Sequence, residues 1–315
     1  MSDLPPDLKD KAKAAGPQKQ QINIYKEQME RERRLRENMK KVKYKIAVMS
    51  GKGGVGKSTV AVNLAYALIK KGYKVGLLDA DLHGPDVPLL AGIKEKFPYA
   101  TPEGVLPIEG PLGLKVMSIQ LLLEADDTPI VWMGPLKAKA IQQFLADVIW
   151  GELDYLIFDL PPGTGDEPLT IMKSIPDLTG VVIVVTPQEV AVFDARKAVR
   201  MAELLKVPVI GIIENMSGFL CPDSGKIYYI FGRGGGAKAA RELNVPFLGE
   251  LPLDPRVREL ADEGKPFILQ YSESEVGKKF MEIAEKIDQI ARKIAKDRQV
   301  QQKEEGSGLF KVRKE

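Results

Sequence analysis

The chain has 315 residues, of which 44% are hydrophobic, and this is enough to build the core of one large α/β domain or of two small ones. Its net charge of +3 gives no indication of a nucleic-acid partner. No apolar run is long enough to cross a bilayer, and the N-terminus lacks the apolar stretch of a secretory signal, so we expect a cytoplasmic protein without a membrane partner. A single cysteine, Cys221, excludes an intramolecular disulfide, and a single histidine, His83, excludes a histidine cluster for zinc.

The charge is distributed unevenly along the chain. Residues 1–45 contain 13 Lys or Arg against 7 Asp or Glu, whereas the remainder carries a small negative surplus. Residues 21–43 predict an exposed, charged helix leading into the first strand, and both a solvated helix and a docking arm for an anionic partner fit this charge. Residues 297–315 predict a flexible tail. We therefore expect a charged N-terminal extension at 1–42, one folded domain at 43–298 and a C-terminal tail at 299–315.

Apolar strands alternate with amphipathic helices along this domain. Strands are predicted at 44–50, 73–81, 114–119, 180–188, 207–217 and 245–255, a strand running into a loop at 153–166, and helices at 59–72, 135–151, 189–206 and 272–297. The alternation predicts an α/β fold, with a mostly parallel sheet covered by helices on both faces. Ligands of such sheets collect at the carboxyl ends of the strands, where the distinctive motifs of this chain fall.

Residues 51–58 read GKGGVGKS, between a predicted strand and a predicted helix. This is the phosphate-binding P-loop pattern in the context that it requires. Glycines let backbone N–H groups close around a phosphate, and the helix N-terminus adds partial positive charge. We expect Lys57 to pair with the β- and γ-phosphates and Ser58 to hold Mg²⁺, while Lys52 can swing toward a phosphate in its own subunit or across an interface. The predicted nucleotide-binding residues of the loop are Gly51, Lys52, Gly53, Gly54, Val55, Gly56, Lys57, Ser58 and Thr59.

Acidic residues follow two other predicted strands. Asp79 and Asp81 end the second strand, where period-two alternation puts both carboxylates on the same side. We assign Asp79 to the magnesium shell and Asp81 to the attacking water. Asp159 precedes the loop PPGTGD and fits a carboxylate that binds Mg²⁺ through its water ligands, while the loop itself fits a γ-phosphate sensor. For each acid, capping of the next helix is the structural alternative.

Two further strand ends are candidates for holding the base. Asn215 has an amide that could read a purine edge, and a turn-forming asparagine fits the same position. Residues 251–255 read LPLDP, and this segment, including Pro252, is a candidate wall beside the base. An N-cap at Asp254, with Pro255 at the first helical position, fits the same residues and can coexist with that wall.

Taken together, the motifs resemble those of a known family. GKGGVGKST, LLDADLHGP, WMGP, LDYLIFDLPPGTGD, VIVVTPQEVAVFDARKAV, ENMSGFLCP, IFGRGGG and VPFLGELPLDP, in this order, resemble the Mrp/ApbC-type iron-sulfur cluster carrier ATPases over residues 43–267. These belong to the deviant-Walker-A group, with the nitrogenase iron protein and the septum-positioning and partition ATPases. The resemblance implies a homodimer sandwiching ATP, in which Lys52 reaches the partner's nucleotide. It also implies slow ATP hydrolysis and a cluster, which we take as 4Fe-4S, bridged between the subunits and passed to apo-proteins.

The chain departs from the family pattern at the expected cluster site. Where the family has CxxC, residues 221–224 read CPDS, so Ser224 stands where the second thiolate belongs. A two-fold dimer then offers two Cys221 thiolates, whereas protein-bound clusters commonly use four cysteine ligands. Met133, in WMGP where many relatives have arginine, is a smaller departure.

Two functions therefore stay open. One is an ATP-hydrolysing cluster carrier or scaffold, in which the loops at Asp81 and Asp159 sense the γ-phosphate and rearrange the Cys221 loop. The other is a regulatory ATP switch of the same family that has lost stable cluster binding.

Overall fold

The computed structural model describes residues 26, 28–81, 84–94, 97–122, 134–221 and 223–311. His83 and Met133 lie outside these residues. The described strands are β1 Val42–Met49, β2 Val75–Asp79, β3 Ala100–Thr101, β4 Gly104–Val105, β5 Ile108–Glu109, β6 Lys115–Met117, β7 Leu153–Asp159, β8 Gly180–Val185, β9 Val209–Leu220, β10 Ile227–Tyr228 and β11 Phe247–Leu253.

Helices separate most of these strands. The first, α1, covers residues 28–40. The others are α2 Lys57–Lys70, α3 Val87–Leu90, α4 Gly134–Asp147, α5 Asp166–Ser174, α6 Glu189–Leu204, α7 Gly235–Glu242, α8 Pro255–Asp262, α9 Phe267–Tyr271 and α10 Glu275–Lys311. No described helix is both long and apolar enough to span a membrane.

Nine strands form one sheet in the order β10-β9-β8-β1-β7-β2-β6-β5, with β11 paired to β9. The central pairs are parallel, whereas β10 and β5 run antiparallel to their neighbours at the two edges. The register places Asp79 of β2 opposite Asp159 of β7. The predicted mostly parallel α/β sheet is therefore confirmed, and two of its acidic residues lie side by side at the carboxyl edge.

Both faces of the sheet are covered by helices. Alternate residues of β1 show this, because Ile46 and Val48 belong to one buried cluster and Ala47 and Met49 to the other. The first cluster contains side chains of α2, α3, α8, α9 and α10, and the second contains side chains of α1, α4, α5, α6 and α7. Central strands buried on both sides explain why β8 reads GVVIVV without polar alternation.

Helix α1 packs against the domain rather than standing free in solvent. Met39 is 1% exposed, and the Asn38 side-chain amide donates to the carbonyl of Ala146 at 2.8 Å. Arg34 pairs with Asp147 at 3.2 Å, and the buried Lys45 Nζ donates to the Met39 carbonyl at 3.1 Å. Burial lowers the pKa of Lys45. The charged N-terminal helix is thus docked by one face, while its other face stays exposed.

Helix α10 is joined to the opposite face by a cluster of polar and aromatic groups. Asp288 accepts hydrogen bonds from the hydroxyls of Tyr155, in β7, and Tyr73, the latter at 3.0 Å, and from Arg292 Nε at 2.8 Å. The helix continues to Lys311, so the predicted boundary at 298 does not coincide with an end of regular structure. The domain boundaries themselves stay predictions.

We expect Asp288→Asn to lower the free energy of unfolding by about 2 to 3 kcal/mol at neutral pH, since charge-assisted hydrogen bonds are lost. Burial alone would raise the pKa of Asp288, but hydrogen bonds from Tyr155, Arg292 and Tyr73 outweigh it and lower the pKa. The charged carboxylate therefore stabilises the fold above its unfolded pKa of about 3.9, and this contribution disappears as the pH falls through the lower folded value.

Urea unfolding at several pH values measures this effect. Glu285→Gln is the control, because Glu285 bonds Lys71 and Gln289 on the exposed side of the same helix, where an ion pair contributes little. An Asp288→Asn deficit that stays constant down to strongly acidic pH would contradict the assignment.

Candidate nucleotide site and cysteine loop

The glycine-rich loop connects β1 to α2 with a backbone shape that depends on glycine. Gly54 and Gly56 have φ values of 77° and 79°, in the left-handed region that a Cβ disfavours. Gly56 is the N-cap residue of α2, and Lys57 and Ser58 begin the first turn. The free N–H groups of this turn point out of the helix end, which is the arrangement that binds phosphate.

Two neighbouring elements hold the loop closely. A Cβ added to Gly51 would lie 2.3 Å from Cβ of Asp194 in α6 and 2.6 Å from its carbonyl carbon. On the other side, the Asn215 side-chain amide donates to the carbonyl of Val55 at 2.9 Å. The loop is therefore fixed between α6 and β9, and Gly51 is required by close packing of backbone.

Lys57 forms a buried ion pair across the sheet edge. Its Nζ lies 2.6 Å from Oδ1 of Asp159 and 3.3 Å from the Ser58 hydroxyl. Lys57 is 6% exposed and Asp159 is fully buried. Three of the predicted site residues are thus in direct contact, and the lysine that we assign to phosphate is paired with the carboxylate that we assign to magnesium.

Asp79 lies beside this pair. Its Oδ2 accepts a hydrogen bond from Ser118 at 2.9 Å, and its Oδ1 accepts one from the backbone N–H of Asp81 at 3.1 Å. Burial raises the pKa of Asp79 well above its usual value, the nearby Asp159 charge raises it further, and Lys57 opposes both. Burial also raises the pKa of Asp159, against the same lysine. The positive charge of Lys57 therefore offsets the charges of two closely spaced buried carboxylates, Asp79 and Asp159.

The free oxygen atoms of these acids decide whether Mg²⁺ fits between them. Asp159 Oδ2 is buried and has no hydrogen-bond partner, so one hard oxygen beside Asp79 is free to bind a cation. Within the described part of the chain, no three His, Cys, Asp or Glu side chains converge on one metal position. The arrangement therefore fits Mg²⁺ held by Asp159, Asp79 and the Ser58 hydroxyl together with nucleotide oxygens, rather than a cage built by protein alone. Asp81 is 9% exposed, just beyond the end of β2.

The predicted γ-phosphate sensor follows β7 and contacts the P-loop region. The backbone N–H of Gly163 donates to the carbonyl of Ser50 at 2.9 Å, and Gly163 has a φ of 95°. The Ser50 hydroxyl in turn donates to the Lys52 carbonyl at 2.9 Å. A movement of the sensor loop would therefore be transmitted to the backbone of Lys52, whose side chain is partly exposed.

The candidate base-binding residues lie at the far side of the loop. Asn215 and Leu251 are register partners on β9 and β11, which places Pro252 beside Asn215. The Asn215 Nδ2 uses one of its two N–H groups on Val55, so its other N–H and the amide oxygen are left for a base. Asp254 caps α8 by accepting from the N–H of Arg256 at 3.0 Å, as the structural alternative predicted.

Cys221 follows β9 at the tip of a hairpin completed by β10. Its N–H donates to the carbonyl of Lys226, and its carbonyl accepts from Gly225, both at 2.9 Å. The Ser224 hydroxyl, and then the backbone N–H groups of Ser224 and Asp223, lower the pKa of the Cys221 thiol by hydrogen bonding. In the described residues Ser224 thus acts as a donor to this sulfur, which favours the thiolate that metals bind.

Sequence reasoning missed Glu214, which is fully buried one residue before Asn215. Its carboxylate accepts hydrogen bonds from the N–H groups of Gly234 and Gly236, at 2.9 and 2.5 Å, and from the Ser217 hydroxyl at 2.6 Å. It therefore ties β9 to the glycine-rich start of α7. Two features of the sequence could have indicated this role: an acid inside an apolar strand, and the later glycine-rich run GRGGG at residues 232–236.

These features define a class of protein. The chain is a P-loop NTPase, because it has a strand, then a glycine-rich loop ending in lysine and serine, then a helix, with a carboxylate on the adjacent strand. The family model described as ParA, NUBPL iron-transfer P-loop NTPase, matches residues 41–288. The chain belongs to this family.

Individual relatives agree with this membership. An iron-sulfur cluster carrier protein of Methanocaldococcus jannaschii is 57% identical over 257 residues, covering 81% of this chain and 89% of the relative. A cytosolic Fe-S cluster assembly factor NUBP2 homolog of Trichoplax adhaerens is 46% identical over 238 residues, covering 74% and 90%. The structure of a nucleotide-binding protein from Archaeoglobus fulgidus, in complex with ADP and with cobalt found, is 46% identical with a TM-score of 0.67, covering 74% of this chain and 91% of that one.

We expect Gly51→Ala to lower the free energy of unfolding of the nucleotide-free protein by about 1 to 3 kcal/mol, because the added methyl meets the backbone of Asp194. Gly53→Ala is the matched control in the same loop, since its nearest neighbour, the Pro162 side chain, would lie 4.0 Å from the new Cβ. Its stability should be unchanged or raised by up to about 1 kcal/mol. Urea unfolding of both variants measures the two free energies of unfolding. Equal losses of stability would show that the contact between Gly51 and α6 does not restrict the residue at position 51.

Proposed function

We propose that this protein is an ATP-binding, slowly ATP-hydrolysing carrier of iron-sulfur clusters, which acts as a cytoplasmic homodimer and delivers clusters to apo-proteins. The observation that carries the proposal is that one strand, β9, contacts the P-loop through Asn215 and presents Cys221 at its end. Membership of the iron-transfer family and the carrier names of close relatives support it.

Nucleotide binding would rearrange the partners of the buried lysine. Lys57, the Ser58 N–H and the rest of the α2 N-terminus would hold the phosphates, and Lys57 would leave Asp159 to do so. Mg²⁺, when bound, neutralises developing charge on the phosphates. Asp159 and Asp79 would take up that cation, and Asp81 would orient the attacking water. Lys52 of one subunit would reach the nucleotide of the other.

The state of the nucleotide site would reach the cysteine along β9. Asn215 and Cys221 are separated by six residues, a span of at most about 20 Å in an extended strand. Met216 has a φ of 60° and Gly218 a φ of 85°, so the strand bends between the two positions. A shift of the P-loop carbonyl at Val55 would thus act on a bent strand whose far end carries the thiol.

The surface around Cys221 supports a dimer. Directly after the cysteine loop, Ile227, Tyr228, Tyr229, Ile230 and Phe231 are all substantially exposed. Val190 and Phe193 of α6, the helix that packs on Gly51, are 68% and 63% exposed. Runs of large exposed apolar side chains of this kind are typical of protein interfaces. A two-fold axis near this surface would bring two Cys221 thiolates together to hold a cluster as cargo.

The catalytic assignment can be tested by mixing variants. Lys57→Ala should weaken ATP binding at least about tenfold because a phosphate contact is lost, whereas Lys52→Ala and Asp81→Ala should largely spare binding and slow turnover. If Lys52 acts across the dimer, an equal mixture of the last two variants, refolded or exchanged together, should regain about a quarter of wild-type turnover, since half the dimers contain one complete site. Steady-state phosphate release measures it.

No recovery in a mixture that demonstrably exchanges subunits would place Lys52 on the nucleotide of its own chain. Unchanged turnover in both single variants would remove Lys52 and Asp81 from catalysis.

The carrier role can be tested by anaerobic reconstitution with iron and sulfide. Wild type and Ser224→Ala should develop cluster absorbance with comparable iron and acid-labile sulfide per dimer, whereas Cys221→Ala should not. Ser224→Cys should lose its cluster more slowly to a chelator, because it restores four thiolates per dimer. Absence of any absorbance that depends on Cys221 would remove the carrier role and leave an ATPase without this cargo.

A further inference from the structure

A second concave site lies away from the nucleotide, between α1 and α5. It is a groove of about 1160 Å³, with residues of α1 on one wall and the end of α5 with the following turn on the other. Its charged lining residues are Arg31, Glu32, Arg36, Lys40, Lys173 and Asp177. Nothing in the proposed ATPase and carrier mechanism uses these side chains.

The groove lies at the amino edge of the sheet. Helix α1 ends at residue 40, just before β1 begins at Val42, and α5 ends at Ser174, before β8 begins at Gly180. The P-loop and Asp159 lie at the opposite, carboxyl edge. A molecule bound in the groove would therefore leave the nucleotide site and the Cys221 hairpin open.

Positive charge dominates the groove. Arg31, Arg36, Lys40 and Lys173 line it, and within the described residues none of the four forms an ion pair. The described lining contains two acids, Glu32 and Asp177, and Asp177 also interacts electrostatically with Lys45 and Arg298. In the part of the lining that the structure describes, four cations without an ion pair therefore outnumber these two acids. Neighbouring arginines of α1 are different, because Arg33 pairs with Glu30 and Arg34 with Asp147.

The remaining lining indicates which kind of anion fits. Leu35, Met39 and Pro176 supply apolar surface, and Thr170 and Gln142 supply hydrogen-bonding groups. The described lining residues include no aromatic ring on which a nucleobase could stack, as single-stranded nucleic acids require. A concave groove between two helices also does not fit the flat surface of a bilayer. We infer that this groove binds an acidic, partly apolar segment of a partner protein.

A fluorescein-labelled short peptide rich in Glu, Asp and Leu tests the inference with the full-length protein. Fluorescence anisotropy should show saturable binding that is absent for the matching peptide with Gln and Asn in place of the acids. The double variant Arg36→Gln with Lys173→Gln should weaken binding at least about tenfold. The double variant Lys70→Gln with Lys293→Gln is the matched control, because it removes the same charge from exposed positions outside the groove and should bind as wild type does.

Other outcomes would overturn the inference. These are no binding of the acidic peptide, equal weakening in both double variants, or tighter binding of a single-stranded RNA or of anionic lipid vesicles that depends on Arg36 and Lys173. The groove variant should keep wild-type ATP turnover and Cys221-dependent cluster loading. Failure of the groove proposal is therefore distinguishable from failure of the proposed carrier function.

Discussion

The buried ion pair between Lys57 and Asp159 is the interaction on which the site depends. Both groups lie in the interior, where an uncompensated charge is expensive, so each makes the burial of the other tolerable. Asp79 adds a second carboxylate at the register position opposite Asp159. Because one lysine faces closely packed acids, a magnesium nucleotide bound as proposed would supply a cation for the acids and an anion for the lysine. The change from the unliganded to the nucleotide-bound state would then be driven by an exchange of ionic partners, and not by the entry of a charge into a neutral pocket.

Under the proposed function, this exchange would occur where three strands end together. The parallel register of β1, β7 and β2 brings the P-loop, Asp159 and Asp79 to one edge of the sheet. The Gly163 bond to Ser50 and the Asn215 bond to Val55 attach the neighbouring loop and strand to the same backbone. Since the core on either side is tightly packed, a displacement of the P-loop can be absorbed only at its attachments. Those attachments lead to the sensor loop on one side and to the Cys221 hairpin on the other.

The sequence predicted well what is encoded locally. Continuous apolar runs identified the central strands, and GKGGVGKS identified the loop, because glycine, lysine and serine are each required there by short-range chemistry. The sequence could not show that Gly51 packs on Asp194 or that Asn215 holds Val55, since these contacts join residues more than a hundred positions apart. Nor could it choose between a solvated and a docked α1. Its buried stripe is short, with Met39 and Leu35 as its apolar members, and its partners Ala146 and Asp147 belong to α4.

Ser224 shows how a departure from a family pattern can be interpreted once the local geometry is known. Viewed as a missing ligand, it only weakens the case for a cluster. In the hairpin, its hydroxyl donates a hydrogen bond to the Cys221 sulfur and lowers the pKa of that thiol. A hydrogen bond to a thiolate makes deprotonation easier and also reduces the electron density that the sulfur gives to iron. Both effects suit cargo that is taken up at neutral pH and released again. Under the proposed carrier role, the serine would therefore shift the balance from storage toward transfer, with the second subunit supplying the other thiolate.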